Sequence, residues 1–408
     1  MLILVVFLLL IFFVSLISNR LEGSIITMPI IFTTAGIILE LATSATSQPI
    51  MGRTTFLRLS ELALVLILFT DSARIRLQPL FFSSSLPTRL LSIGMPLTIL
   101  LGALPALLLI PGLSLWEACI LAAVLAPTDA GLGRIIVTSP KVPVRIRQGL
   151  NVEAGLNDGL SVPFLMLFIA VAMSGVKGAG RILIQNAFEQ IILGALIGIG
   201  IGLVGGWLLG QAERRKYLNK DFGQFGLLSV PMLCLIAAEP IHASPFIAAF
   251  VGGLSVQIGF KDASLHALDF SEQWGQLLNL LVFFIFGILI PSFVSQMSIS
   301  YWIYALASLT VIRMLPTALA LAGTHLKPAT VLFMGWFGPR GLASLVLGLV
   351  FLEKESKLAG EPYIRSAIIA TVLLSVFAHG LSAKPGIALY SRMTGGLGFD
   401  APERKESD

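Results

Sequence analysis

The chain has 408 residues, 56% of them hydrophobic and 12% charged, with a mean hydropathy of +0.92. An ordinary soluble domain carries about 25% charged residues, and 27 basic plus 22 acidic side chains cannot cover a soluble fold of this size. The composition excludes a soluble enzyme, a disordered chain and a collagen-like repeat, and places the chain among all-α polytopic membrane proteins.

A membrane helix needs about 20 mostly apolar residues. Thirteen segments qualify, near 2–18, 25–42, 57–72, 88–109, 115–137, 147–174, 187–210, 222–239, 244–260, 276–294, 300–322, 328–351 and 363–389. The first lacks a basic n-region and a small-residue cleavage site, and its apolar run exceeds a usual signal-peptide core, so it reads as a retained helix. Cys119 and Cys234 lie in apolar runs and form neither a disulfide framework nor a metal site.

Thirteen spans put the termini on opposite sides. One set of loops, together with the C-terminus, holds 18 Lys and Arg residues, among them Arg74, Arg76, Arg89, Arg134, Arg145, Lys261, Arg404 and Lys405; the other set holds 7, including Lys357. Basic residues stay cytoplasmic, which puts the C-terminus in the cytoplasm and the N-terminus outside. The net charge of +5 is therefore a topology signal, not the footprint of nucleic acid. No soluble domain interrupts the chain, and 390–408 reads as a short polar tail. Function has to reside in the helices.

Two segments are broken. The fifth reads Ala126-Pro127-Thr128-Asp129-Ala130-Gly131, and the twelfth Gly335-Trp336-Phe337-Gly338-Pro339-Arg340-Gly341. Proline removes a backbone donor, and free backbone groups at membrane depth are tolerated only where they are buried in protein or line a cavity. Paired breaks in corresponding halves point to a transporter site built from two inverted repeats. The fourth segment, with Pro105, then corresponds to the eleventh, with Pro316. The seventh carries Gly194, Gly198, Gly202, Gly206 and Gly210 on one face, a surface for close helix packing.

A charge at the bilayer centre is costly and persists when paired or functional. Asp129, Glu153, Asp158, Arg313 and Arg340 are such charges, and three acidic against two basic groups leave one surplus negative charge, which suits a monovalent cation or a proton. In the sixth segment Glu153 and Asn157 share a helix face, whereas Asp158 is turned about 100° away. Pro163 leaves the Gly159 carbonyl without a helical partner. Carboxylate, amide and carbonyl oxygens are hard ligands for sodium, lithium or potassium, and a buried carboxylate also takes a proton. Cation and proton competing for Asp158 is an exchange mechanism. Asp71 near Arg74 reads as an interfacial pair, Glu117, Glu189 and Glu239 as solvated or capping, and His379 as a buried histidine with its partners satisfied; His242, His266 and His325 show no metal-ligand spacing.

The Glu-x-x-x-Asn-Asp run at 153–158, the preceding Thr-Asp break and the later Pro-Arg-Gly resemble the NhaP-like and eukaryotic sodium/proton exchanger branch of the monovalent cation/proton antiporters. The resemblance implies a homodimer of 13-helix protomers with crossed broken helices. It implies a scaffold of about 2–72 and 222–294, a mobile core of about 88–174 and 300–389, and a linker helix at 187–210. It gives Asp158 the ion- and proton-binding role with Asn157, Asp129 and Thr128 around it, makes Glu153 and Arg313 a buried ion pair, and makes Arg340 the arginine of the second break. Ala130, Ala154 and Pro339 depart from the common pattern, and Ala154 removes a serine hydroxyl. An Asn-Asp pair implies electroneutral one-for-one exchange. No cofactor is expected, only transported Na+, Li+ or K+ and H+, in a bacterial inner or plasma membrane. A potassium/proton antiporter is the alternative substrate reading; an intramembrane enzyme on a lipid-linked substrate finds no matching motif, and a channel, the further alternative, would have no need of a single competing carboxylate.

Overall fold

The computed structural model describes residues 2–22, 24–43, 53–74, 86–177, 180–260, 265–294, 297–355, 358–395 and 401–403. Arg76, Lys261, Lys357, Arg404 and Lys405 lie outside these residues. Helix is the only regular structure among the described residues, as expected where no water can satisfy the backbone. In chain order the helices are α1 (Leu2–Glu22), α2 (Met28–Thr43), α3 (Arg53–Ala73), α4 (Leu86–Leu109), α5 (Leu115–Leu125), α6 (Ala130–Val137), α7 (Val144–Lys177), α8 (Gly180–Arg214), α9 (Lys220–Ala238), α10 (Pro245–Gly259), α11 (Leu265–Val294), α12 (Ile299–Leu309), α13 (Val311–Ala320), α14 (Pro328–Trp336), α15 (Leu342–Glu355) and α16 (Glu361–Thr394).

Each apolar segment falls on one helix or on a helix pair. Eight described spans, with α4 and α12–α13 each counted as one, are long and apolar enough to cross a membrane; α2, α5 and α10 are shorter apolar helices. Several helices outrun their apolar windows. The helix α7 begins at Val144 and α16 ends at Thr394, because the hydrocarbon layer limits the apolar stretch and not the hydrogen-bond ladder, which continues into polar surroundings.

The irregularities have local causes. A π turn at Leu90–Gly94 in α4 closes with the Met95 amide on the Leu90 carbonyl, immediately before Pro96, which has no amide to offer. The eleventh segment is interrupted at Thr310 (φ −110°, ψ −96°), ahead of Pro316. The fifth and twelfth segments are both helix–extended–helix: α5 stops at Leu125 and α6 starts at Ala130, while α14 stops at Trp336 and α15 starts at Leu342.

Two packing groups surround these breaks. In one, α2 and α3 pack on α11, α3 also on α10, and α9 on both α10 and α11. In the other, α4 packs on α5, α5 on α7, α12 on α16 and α15 on α16. The helix α8 runs between them, packing most extensively on α10 and also on α7. Its glycine stripe explains that contact. A Cβ on Gly194, Gly198, Gly202, Gly206 or Gly210 would run into the carbonyl oxygens of Ser244, Ala248, Gly252, Val256 and Gly259 of α10 in turn. Gly202→Leu will separate α8 from α10 at a cost of about 1–3 kcal/mol. Thermal unfolding in detergent checks this, and an unchanged melting temperature would contradict it.

The C-terminal residues are not a free tail where they are described. Glu403 is fully buried; its carboxylate accepts from the Lys327 amide at 2.8 Å and the Thr330 hydroxyl at 3.0 Å. It thereby caps the start of α14, while Arg145 of α7 donates to the Pro402 carbonyl.

Candidate functional site

The two breaks cross, and their termini hold one another. The Asp129 amide donates to the Pro339 carbonyl at 2.8 Å. The Asp129 carboxylate accepts from the Leu132 amide through one oxygen (2.9 Å) and from the Leu342 amide through the other (2.6 Å). One side chain thus caps the N-terminus of α6 and that of α15, where amides are unpaired and the helix dipole favours negative charge. Arg340 does the reverse: its Nη1 donates to the Ala126 and Pro127 carbonyls at 2.6 and 2.9 Å, at the C-terminal end of α5.

The C-terminus of α14 is held by a relay from α16. The Arg340 amide donates to Ser375 Oγ (2.7 Å), which lies 3.0 Å from His379 Nδ1, and His379 Nε2 lies 2.9 Å from the Trp336 carbonyl. A carbonyl only accepts, so Nε2 donates to Trp336, while Nδ1 lies beside both the hydroxyl and, at 3.1 Å, the carbonyl of Ser375. His379 is therefore a buried histidine with its partners met, as its position in an apolar helix suggested. Its use as a clamp across the second break had no sequence signal, because it depends on Trp336 lying alongside.

Glu153 and Arg313 form a two-pronged ion pair at 2.5 and 2.9 Å, both residues 2% exposed. The Arg313 guanidinium rests directly on Gly338, where a Cβ would overlap it, so the pair lies against the second break. Asn157 Nδ2 donates to Thr128 Oγ1 at 2.8 Å, tying α7 to the first break.

Asp158 differs from the other four buried charges. Asp129 is engaged by two helix termini, Glu153 and Arg313 by each other, and Arg340 by carbonyls through Nη1, although Arg313 Nε and Arg340 Nε and Nη2 are also without a hydrogen-bond partner. Asp158 Oδ1 is buried with no hydrogen-bond partner, and so is the nearby Asn157 Oδ1. On one side Asp158 faces a cavity of about 880 Å³ lined by Asp71, Arg74, Asp129, Gly131, Arg134, Arg145, Asp158, Asp269, Glu272 and Asn279, among others. At roughly 30 Å³ per water it has room for about 30 molecules. The lining follows α7 from Arg145 to Asp158, a depth of about 20 Å at 1.5 Å per residue. Its mouth lies on the side of the C-terminal residues, since Arg145 contacts Pro402. On the other side the Phe250 ring packs against Gly159, with no space for a Cβ.

Several polar residues sit differently from their expected places. Arg74 forms its side-chain ion pairs with Asp269 (2.7 Å) and Glu272 (2.6 Å) of α11, and its link to Asp71 is a backbone hydrogen bond at 3.3 Å; Asp71 lines the cavity. Glu117 is capping but buried: it closes a capping box with Ser114 and accepts from the Gly360 amide at 2.7 Å. Glu189 and Glu239 are exposed, paired with Gln185 and Arg58. Asn279 is an additional polar residue at the site, invisible as a lone amide in an apolar run.

Comparison with known proteins agrees with this architecture. The family model described as "Sodium/hydrogen exchanger, transmembrane" matches residues 5–388. The chain is 26% identical over 275 residues to "Na(+)/H(+) antiporter 2" of Zygosaccharomyces rouxii, covering 62% of this chain and 33% of that one. It is 25% identical over 341 residues to "K(+)/H(+) antiporter NhaP" of Alkalimonas amylolytica, covering 80% and 56%. The chain thus spans between a third and just over half the length of these relatives. The structure of the sodium proton antiporter MjNhaP1 from Methanocaldococcus jannaschii superposes with a TM-score of 0.68 at 18% identity, over 93% of this chain and 97% of that one. Crossed half-helices, the Asn-Asp pair and a family match over nearly the whole length lead to one conclusion: the chain belongs to the sodium/hydrogen exchanger family of membrane proteins.

Proposed function

We propose that the protein is a secondary antiporter that exchanges a monovalent cation, Na+ in the first place and Li+ with it, for H+ by alternating access, with cation and proton competing for Asp158. The observation that carries this reading is that Asp158 has a buried, unpartnered carboxylate oxygen at the deep end of a cavity large enough for water. A carboxylate in that position binds one cation or one proton, and losing either leaves it charged and unpaired. Asn157 does not titrate, which supports a one-for-one, electroneutral cycle. The Asp129 carboxylate, which lines the cavity, and Thr128 next to it at the first break are further hard ligands, since their oxygens keep a second lone pair.

The packing groups support a division of labour: α1–α3 with α9–α11 as scaffold, α4–α7 with α12–α16 as moving core, and α8 as linker. The 18-to-7 bias in basic residues supports a cytoplasmic C-terminus and an outside N-terminus, so the cavity opens to the cytoplasm. Assembly as a homodimer in a bacterial inner or plasma membrane completes the proposal. Exchange of K+ is the second reading, favoured by the relative named as a potassium antiporter.

Proteoliposomes with a preset pH gradient test this. Added Na+ or Li+ will dissipate the gradient, at a rate unchanged when the membrane potential is clamped. A response to K+ of equal size would favour the second reading. Exchange that generates a potential, or is driven by one alone, would overturn the stoichiometry, and no response to any of the three ions would overturn the function.

A further inference from the structure

Among the side chains lining the cavity, Asn279 combines three properties. It is 8% exposed, its Oδ1 is buried without a hydrogen-bond partner, and it belongs to α11, a helix that packs chiefly on α2, α3 and α9 and only lightly on α15 and α16 of the crossed segments' bundle. A buried amide oxygen left unpaired costs free energy, so its retention in the span asks for a ligand.

Its position says which ligand. A Cβ on Gly131 would lie 2.9 Å from Asn279 Nδ2 and 2.9 Å from Asp129 Oδ1. The amide therefore reaches over the first turn of α6, beside the cap that joins the two breaks, and this approach exists because residue 131 is glycine. The same cavity is lined by Asp158 with its own orphaned oxygen. Two unpartnered acceptor oxygens, one charged and one neutral, thus belong to side chains that line one cavity from two different packing groups. That pair is a donor set for a hard monovalent cation. The neutral oxygen adds coordination without adding charge, so the balance of one carboxylate against one cation or one proton is preserved.

We infer that Asn279 is a cation ligand contributed by the scaffold, which completes the Asp158 site while the cavity is open and is left behind when the core moves. The inference rests on the exchange reading above and adds an asymmetry to it. The cation is held by Asp158 on both sides of the membrane and by Asn279 on one. Removing the amide weakens the cation on the cavity side, and the loaded protein shifts by the same factor toward the opposite-facing state, so the cycle stays closed.

The test compares everted with right-side-out membrane vesicles from a host lacking its own antiporters. For Asn279→Ala the expected result is an apparent KM for Na+ raised about tenfold from the side of the C-terminus, unchanged or lower from the other side. Proton-driven maximal rate is retained. Asn279→Leu, which removes the amide oxygen while keeping the side-chain volume, is expected to give the same one-sided effect and serves if the first variant does not reach the membrane. A KM raised equally on both sides, or unchanged on the cavity side in both variants, overturns the inference. These failures are distinct from failure of the exchange reading, which would show as wild-type vesicles that do not respond to Na+ at all.

Discussion

Asp158→Asn will abolish cation/proton exchange while leaving the protein folded, and its melting temperature will be equal to or higher than that of the wild type. The amide matches the carboxyl in shape but neither carries the charge that holds a cation nor takes up a proton, so both half-cycles are lost together and transport falls to the background of empty vesicles. Stability moves the other way because the wild-type oxygen is buried and unpartnered, and a buried charge without a partner disfavours the folded state. Loss of activity with gain of stability is the signature of a residue kept for function. A second readout is the rise in melting temperature on adding Na+, which follows from binding to the folded state and will be absent in the variant. Wild-type-like, pH-dependent Na+ uptake by Asp158→Asn would remove this residue from the site.

Breaking the Glu153–Arg313 pair will have the largest effect on stability. Both partners are 2% exposed, and the contact is two-pronged at 2.5 and 2.9 Å. Removing one partner leaves the other as an uncompensated buried charge, which costs about 3–5 kcal/mol, whereas replacing both by apolar residues of similar volume is often nearly neutral. Glu153→Leu and Arg313→Met are each expected to lose most of the folded protein in detergent, and the double variant to recover it. The position adds a functional consequence. Arg313 lies on Gly338 at the second break, so Glu153→Leu leaves an unpaired guanidinium against that break and lowers transport together with stability, an effect that the double variant removes. Unfolding measured over the full double-mutant cycle decides this; a single variant losing less than about 1 kcal/mol would show that the pair does not brace the core.

The parts of this arrangement that could be read from the residues are those with a strong one-dimensional signal. Apolar windows located the helices, since the hydrocarbon layer imposes both composition and length. Pro127 and the Gly338-Pro339 step located the breaks, since proline and glycine act on the local ladder. Asp158 was visible because a charge at membrane depth is rare. The Glu153–Arg313 pair joins residues 160 positions apart, and spacing alone does not connect them; the resemblance of the 153–158 run did. Partnerships of ordinary residues were not legible. Ser375 and His379 become a clamp through the Trp336 carbonyl, Glu403 becomes a cap through the Lys327 amide, Asn279 becomes a candidate ligand through the glycine at 131, and Arg74 turns to Asp269 and Glu272 on another helix. In each case the meaning of the residue is set by a neighbour distant in sequence, and neither hydropathy nor local propensity carries that information.

The central claim is that one carboxylate is shared in time between a cation and a proton, and the dependence of apparent affinity on pH tests it most directly. In proteoliposomes, the apparent KM for Na+ is measured over a series of pH values with the membrane potential clamped. Competition for one group predicts that KM falls tenfold for each pH unit on the acid side and levels off once Asp158 is deprotonated without help, with the maximal rate at saturating Na+ unchanged along the falling limb. A KM that stays constant with pH while the maximal rate changes would mean that proton and cation occupy separate groups, and would contradict the account.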